Sequence, residues 1–483
     1  MTITAPLTGL DSVRALLAAS DPEGRLVPCD LQSLVVGPGA LDQTVDVVES
    51  LVTQPEGRPR RVVVLVDETP ILRGNQDVKT AVVDMLTPGS DTVRVVLSDG
   101  HAELHVTPEV VDGAIAQCEG ADVIVAVGGG TISDIGKLVA TALPGLPVVT
   151  VMTAASVDGY TDNVSVTLKD GVKRTVPSVW PDVVVADAET VAGAPARMNR
   201  AGYGEMTSMY VAPADWRLAA LIGIDGSFHP GPVRLLDALS ADLDACAPGV
   251  ATGEPEAVQQ LTWALALRGI ATGVAGSTAC LSGVEHLVSH MLDLRAAQLS
   301  LPTGLHGEQV GAGSVVAACA WELLRDRLAA APEARVQDSA LDAAAAETRV
   351  RTAFADLDPS GRIADECWRD YSRKLQRVAA ALPRIDEVLA GWTVHEPELT
   401  ALTRPAATIA GGLQAAGTPA LLEDLGSEVD CVTARWAIEN CALMRDRFTV
   451  VDLLTLLGWW ESSDVDELLA RVARAVKTAG GPS

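Results

Sequence analysis

Seven histidines occur in 483 residues, and three of them fall in the stretch 282–307, SGVEHLVSHMLDLRAAQLSLPTGLHG. His286 and His290 stand four apart, a spacing that puts both imidazoles on one face of a helix, about 6 Å apart at Cβ. His306 follows a Pro-Thr-Gly turn that can fold a third ring back toward them. Imidazoles with an oxygen donor are the usual ligands of a zinc that keeps one coordination position open. The stretch is therefore a candidate metal site with all three rings as candidate ligands. Two helix histidines and a loop histidine with no metal between them are the plain alternative, because an HxxxH pair does not supply a third ligand.

A second chemical feature lies upstream. The apolar run 123–127, VIVAV, enters Gly128-Gly129-Gly130-Thr131-Ile132-Ser133-Asp134 and then a helical pattern bearing Lys137. Glycines between a buried strand and a helix let backbone N–H groups and the positive helix end approach a pyrophosphate with no Cβ in the way. This points to a nucleotide, although GGGxxxD is not the GxGxxG fingerprint and a plain tight turn reads the same way. Asp67 closes an earlier strand, where a carboxylate can accept from a ribose hydroxyl or cap a helix. Thr153-Ala154-Ala155-Ser156-Val157-Asp158-Gly159-Tyr160 follows the strand ending near Met152. Hydroxyls and a carboxylate gathered at the carboxyl end of a strand lie where open α/β sheets take their ligands.

The elements that must position these residues change character along the chain. Residues 1–30 form a helix-prone leader. Short β-branched runs at 34–36, 61–66, 93–97, 123–127, 148–152 and 183–186 alternate with helical patterns in the earlier part, which argues a doubly wound α/β domain. NVSVTLKDGVKRTVP interrupts that rhythm and reads as a hairpin with Asp170-Gly171 at its turn. After about Ala194 strand-like runs disappear and Ala- and Leu-rich periodicity takes over, as in VVAACAWELLRDRLAAA, CWRDYSRKLQRVAAAL and WAIENCALMRDRFTVVDLLTLLGWW. The expected division is 1–193, an α/β dinucleotide-binding domain with its leader, and 194–483, a helical metal- and substrate-binding domain. Connectors at Leu357-Asp358-Pro359-Ser360-Gly361 and His395-Glu396-Pro397 are expected to break helices, and the tail AGGPS to fray.

Bulk composition excludes several functions. A net charge of −27, from 36 Lys and Arg against 63 Asp and Glu, leaves no basic face for nucleic acid or an anionic membrane. No secretory signal or run of eighteen apolar residues is present, so a cytoplasmic protein is expected. Eight scattered cysteines without CxxC spacing read as reduced core residues.

Six blocks then occur in order: GGGTISDIGK, TAASVDG, PDVVVADAETVAGAPARMNRAGYGE with APADWRLA, SGVEHLVSH, LHGEQVG and RDRFTVVDLL. Together they resemble the glycerol-1-phosphate dehydrogenase family, within the larger group that includes iron-containing alcohol dehydrogenases, glycerol dehydrogenase and dehydroquinate synthase. The resemblance covers roughly residues 34–325 and 445–460. It implies a Rossmann-like α/β nucleotide-binding domain plus an all-α C-terminal domain, with the active site in the cleft between them. The implied reaction is reduction of dihydroxyacetone phosphate to sn-glycerol 1-phosphate with NADH or NADPH and a divalent metal, usually zinc. Carried over by residue, Asp67, Gly128, Gly129, Gly130, Thr131, Ile132, Ser133, Asp134, Thr153, Ala154, Ala155, Ser156 and Asp162 would hold the cofactor, and Asp158 would touch the substrate. Glu205, His286 and His306 match the metal ligands, whereas His290 matches a histidine that faces the substrate and can pass a proton. The expected partners are a small-molecule substrate and further copies of the chain. A sugar phosphate cyclase of the dehydroquinate synthase type is the enzymatic alternative, although its lysine-rich loop after the glycine turn has no counterpart here. A nucleotide-binding relative without turnover is the other alternative.

Several site positions depart from the family pattern. Glu205 stands where an Asp is usual, one methylene longer; Met209 replaces a polar Asn or Lys; and Asp162 replaces a small hydroxyl residue beside the cofactor. Only six lysines are present, Lys79, Lys137, Lys169, Lys173, Lys374 and Lys477; Lys173 and Arg174 on the hairpin are the first candidates for a phosphate, although an exposed charge pair on a turn is the commoner reading.

Overall fold

The computed structural model describes residues 7, 9–101, 103–169, 172–426 and 428–480. The Asp170-Gly171 turn, the Lys173 side chain and the last three residues of the tail lie outside the described residues. Six β-branched runs form one parallel sheet: β1 (Ser33–Gly37), β2 (Arg60–Val66), β3 (Ser90–Val96), β4 (Val123–Gly128), β5 (Val148–Met152) and, after the hairpin strands β6 (Val164–Lys169) and β7 (Val172–Pro177), β8 (Val183–Asp187). Their order across the sheet is β1-β8-β5-β4-β2-β3. Register is fixed by side-chain alternation, with Val62 opposite Val123 and Val64 opposite Val125. Val62, Val64, Val66, Val125 and Val151 pack toward Val48, Val78 and Val82 on one face. Val63, Leu65, Ile124 and Ala126 pack toward Ala114, Ile132, Ile135 and Val139 on the other. A strand buried on both faces must be apolar at every position, which is why these runs do not alternate with polar residues.

The chain runs from β2 outward to the edge strand β3 and returns to the other side of β2 as β4. That reversal is the topological switch of an open α/β sheet, where ligands bind beyond the carboxyl ends of the strands. Asp67 and the Gly128-Gly129-Gly130 turn stand at those ends.

Cα packing divides the chain into two compact units, Met1–Tyr203 with Pro230–Gly276, and Gly204–His229 with Ser277–Ser483. The helix Pro255–Ala275 belongs to the sheet-bearing unit, where it packs on the helix Ala188–Ala192 and on β1. Within the second unit the helices Val284–Gln298 and His306–Ala330 pack as a pair, and Ala406–Ala415 and Ser462–Ala479 pack on the latter. Among the described residues no strand follows Asp187, and no helix is long and apolar enough to cross a membrane.

Two local expectations are corrected, on Pro397 and on Cys431. Pro397 lies inside the helix Trp392–Ala401, which tolerates one lost ladder bond rather than ending there. The helical periodicity expected over 436–460 is divided between two helices, Cys431–Asn440 and Val450–Leu456, since Thr449 and Asp452 form a capping box that starts the second. Cys431 is exposed, while the other cysteines are buried or partly so, and all eight are free thiols.

Candidate metal centre and nucleotide turn

The helix Val284–Gln298 carries His286 and His290, and its start is pinned from beneath by Asp215. One Asp215 oxygen accepts from the backbone N–H of Val284 at 3.1 Å and the other from Val450 at 2.9 Å. A single buried carboxylate thus caps two helix N-termini drawn from distant parts of the chain. Burial and the neighbouring Glu285 carboxylate hold the Asp215 pKa well above the ordinary range. His306 is the first residue of the helix His306–Ala330, and Glu205 lies one residue from the end of Ala196–Met206.

These elements bring Glu205, His286 and His306 together, with one ligand atom from each lying within 4.8 Å of the others. Glu205 Oε1 is 3.4 Å from His286 Nε2, and Glu205 Oε2 is 3.7 Å from His306 Nε2. Ligands at about 2.0–2.2 Å from a tetrahedral zinc are separated by about 3.3–3.6 Å along the edges; the 3.4 Å contact matches such an edge, the 3.7 Å contact lies just beyond it, and two imidazoles with a carboxylate are the donor types such an ion takes. The extra methylene of glutamate does not remove the carboxylate from reach of either imidazole. His286 and His306 have ring centroids 5.1 Å apart, and the His290 ring lies 6.5 and 6.0 Å from them. His290 stands outside the three-ligand group.

The far side of His286 is also fixed. Its Nδ1 lies 2.9 Å from Oε1 of the fully buried Glu285, which leaves Nε2 facing Glu205. Such carboxylate–histidine pairs orient metal ligands and raise their basicity. Burial alone would lower the His286 pKa, but hydrogen bonds with Glu205 and Glu285 outweigh it and the pKa is raised. Met209 is buried in the tight turn Thr207–Tyr210 that follows Glu205.

The sheet-bearing unit assembles the other candidates. A Cβ on Gly128 would lie 2.7 Å from the Ile132 side chain, so the strand can enter the helix Gly130–Ala142 this sharply only with glycine there. The early N–H groups of that helix face the carboxyl end of the sheet, where an anion is favoured. The turn 153–156 is buried and held by Asn199, whose Oδ1 accepts from Ala155 N at 2.9 Å, and by Tyr160, whose hydroxyl donates to Ala154 O at 3.1 Å.

Four of the candidate carboxylates in this unit, Asp67, Asp134, Asp158 and Asp162, have cationic partners. Asp67 pairs with the buried Lys79, and its second oxygen accepts from Thr69 Oγ1 at 2.9 Å. Asp162 sits 2.6 Å from Nζ of the fully buried Lys137, which also pairs with Asp134 at 3.2 Å and donates to Gly159 O at 2.7 Å. Burial raises the Asp162 pKa and the Lys137 ammonium opposes that rise. The departure from a hydroxyl residue at 162 is thus matched by a lysine that absorbs its charge. Asp158 pairs with the buried Arg268 of Pro255–Ala275. Gly269 and Thr161 complete that contact: a Cβ on Gly269 would overlap the Asp158 and Thr161 oxygens, and Thr161 Oγ1 donates to Ala266 O at 2.7 Å.

Asp158 belongs to the first unit, and His290, Glu205, His286 and His306 to the second. Asp215, Glu285 and Arg268 were not legible as site residues, nor was the pairing of Lys137 with Asp134 and Asp162. Glu285 is the nearest to a signal, since it directly precedes a ligand candidate.

Residues 35–195 match the family model described as iron-containing alcohol dehydrogenase. The chain is 32% identical over 312 residues to the glycerol-1-phosphate dehydrogenase [NAD(P)+] of Natronomonas pharaonis, covering 62% of this chain and 82% of that one. It is 37% identical over 216 residues to the enzyme of the same description from Thermococcus kodakarensis, which covers 44% of this chain and spans only 59% of that relative. In architecture it resembles glycerol dehydrogenase from Schizosaccharomyces pombe, with a TM-score of 0.56 and 15% identity over 93% of this chain and 92% of that one. A probable glycerol dehydrogenase from Sinorhizobium meliloti gives a TM-score of 0.54 at 17% identity, over 93% and 98% of the two chains. An N-terminal parallel six-stranded α/β sheet followed by an all-helical region is the fold they share.

Proposed function

The chain belongs to the iron-containing alcohol dehydrogenase family, and from that premise we propose that it is a metal-dependent, NAD(P)-linked oxidoreductase acting on a small hydroxyketone, with dihydroxyacetone phosphate the first candidate. The observation that carries this reading is the convergence of Glu205, His286 and His306, with one ligand atom from each within 4.8 Å of the others. When bound, a divalent ion on those residues supplies Lewis acidity to a carbonyl oxygen, and a nicotinamide cofactor supplies hydride.

The chain's own residues have separable tasks in this reading. Glu285 holds the His286 ring so that Nε2 is the donor atom. His290, close to the ligand rings but outside their set, gives a proton to the alkoxide at the end of reduction. The N-terminus of Gly130–Ala142 takes the pyrophosphate of the cofactor, with the glycine turn allowing its approach. Asp158, steadied by Arg268, contacts substrate hydroxyls. The similarity to two glycerol-1-phosphate dehydrogenases supports the choice of dihydroxyacetone phosphate.

The test is to follow NADH or NADPH absorbance with dihydroxyacetone phosphate and with a panel of unphosphorylated ketones and aldehydes. Oxidation of the reduced cofactor with dihydroxyacetone phosphate supports the full reading. Oxidation with another carbonyl alone keeps the reaction class and replaces the substrate. Stoichiometric metal with no turnover on any carbonyl overturns the dehydrogenase reading.

A further inference from the structure

Behind His306 runs a chain of hydrogen bonds through Ser289 and Gln309 to Asp293, all three buried. We propose that this chain sets His306 in the tautomer that a metal requires, with Nδ1 protonated and Nε2 bare. The inference rests on the metal reading above and assigns positioning roles to Ser289, Gln309 and Asp293.

The polarity of the chain can be read from its ends. Ser289 Oγ lies 3.0 Å from His306 Nδ1 and 2.7 Å from Gln309 Oε1, and Gln309 Nε2 lies 3.3 Å from Asp293 Oδ1. A carboxylate accepts and does not donate, so Gln309 turns its NH2 toward Asp293 and its carbonyl toward Ser289. That carbonyl takes the single proton of the Ser289 hydroxyl. What remains on Ser289 Oγ is a lone pair, so His306 must donate to it from Nδ1. In a neutral ring Nε2 is then the lone-pair atom, and Nε2 is the nitrogen that faces Glu205. The reverse direction would set the Gln309 carbonyl against the Asp293 carboxylate.

The chain has work to do because Glu205 favours the opposite tautomer. With no metal present, a proton on His306 Nε2 would be drawn to the Glu205 carboxylate 3.7 Å away and would block the donor atom. Helical spacing supplies the parts: Ser289 and Asp293 are one turn apart on Val284–Gln298, and His306 and Gln309 one turn apart on His306–Ala330.

The test uses the full chain, metal-free, with 15N-labelled histidine at a pH where the ring is neutral. In the wild type His306 is expected as the Nδ1–H tautomer. Ser289→Ala and Asp293→Asn should each shift it toward Nε2–H and weaken zinc binding in chelator competition by about 10–100-fold, the range for losing an outer-sphere partner of a ligand. Ser289→Thr, which keeps the hydroxyl, should restore both readouts. An Nε2–H ring in the wild type, or an unchanged tautomer and affinity in a folded Ser289→Ala, overturns the proposal. Should Ser289→Ala not fold, Asp293→Asn, matched in size, decides in its place. If the wild type binds no zinc, the metal reading fails, yet the tautomer measurement still decides the role of the chain.

Discussion

Gly204 and Gly307 meet backbone to backbone: a Cβ on Gly204 would overlap the carbonyl oxygen of Gly307. Each glycine is the chain neighbour of a candidate ligand, Glu205 on one side and His306 on the other. Gly311 continues the seam, since a Cβ there would lie 3.0 Å from the Gly204 Cα. Two helices bearing charged or polar ligands can approach this closely only where side chains are absent between them.

Gly204→Ala should therefore separate Glu205 from His306. The expected result is loss of metal binding with a cost to stability of about 1–3 kcal/mol, typical of overpacking a core. Metal content and thermal unfolding of the variant check both parts. A variant that retains stoichiometric metal would show that the seam does not set the ligand geometry.

His286→Ala and His306→Ala should each release metal, whereas His290→Ala should retain it and lose rate. The distinction follows from the three-ligand group, which includes the first two imidazoles and leaves out the third. Chelator competition on the three variants separates a ligand from a proton donor.

Protons and metal compete for His286. Its pKa is raised because Glu205 and Glu285 outweigh burial, so the ring holds its proton to a higher pH than a free histidine. In metal-free protein this contributes stability that is fully present below the unfolded value of about 6.5 and is lost as pH rises through the raised folded value. Metal affinity runs the other way, falling about tenfold per pH unit below that folded value as the proton must be displaced. Thermal melts with and without zinc across this range should therefore diverge as pH rises. Parallel curves would remove His286 from the site.

Lys137 is fully buried and depends on Asp162 and Asp134 for its charge. Asp162→Asn removes the nearer partner, and breaking such a buried pair costs up to about 3–5 kcal/mol. Chemical denaturation measures it. A variant as stable as the wild type would mean that Asp134 and the backbone carbonyls suffice.

Much of the scaffold was legible because parallel strands buried on both faces leave uninterrupted β-branched runs, and the observed strands differ from the expected ones by a few residues at their ends. Helix starts were harder. The break before Val450 depends on a Thr449–Asp452 capping box and on Asp215, 235 residues earlier in the chain, and neither alters the apolar periodicity that runs through the stretch. At the site, helical spacing and the turn before His306 were enough to bring forward all three histidines, and the family resemblance added Glu205 and set His290 apart from the ligands. The partners that set charge were hidden for a different reason. Arg268 meets Asp158 across 110 positions, and Lys137 meets Asp162 across 25, so each looked unpaired when read locally. Ser289 and Gln309 were the exception, since each sits one helical turn from a candidate ligand, and that spacing could have marked them.

The most direct measurement is a calorimetric zinc titration of the metal-stripped chain beside its Glu205→Ala and Glu205→Asp variants. One saturable site per chain is expected in the wild type, absent in Glu205→Ala and present in Glu205→Asp. No saturable site in the wild type, or a site of unchanged affinity in Glu205→Ala, would contradict the assignment of Glu205, His286 and His306 to a metal.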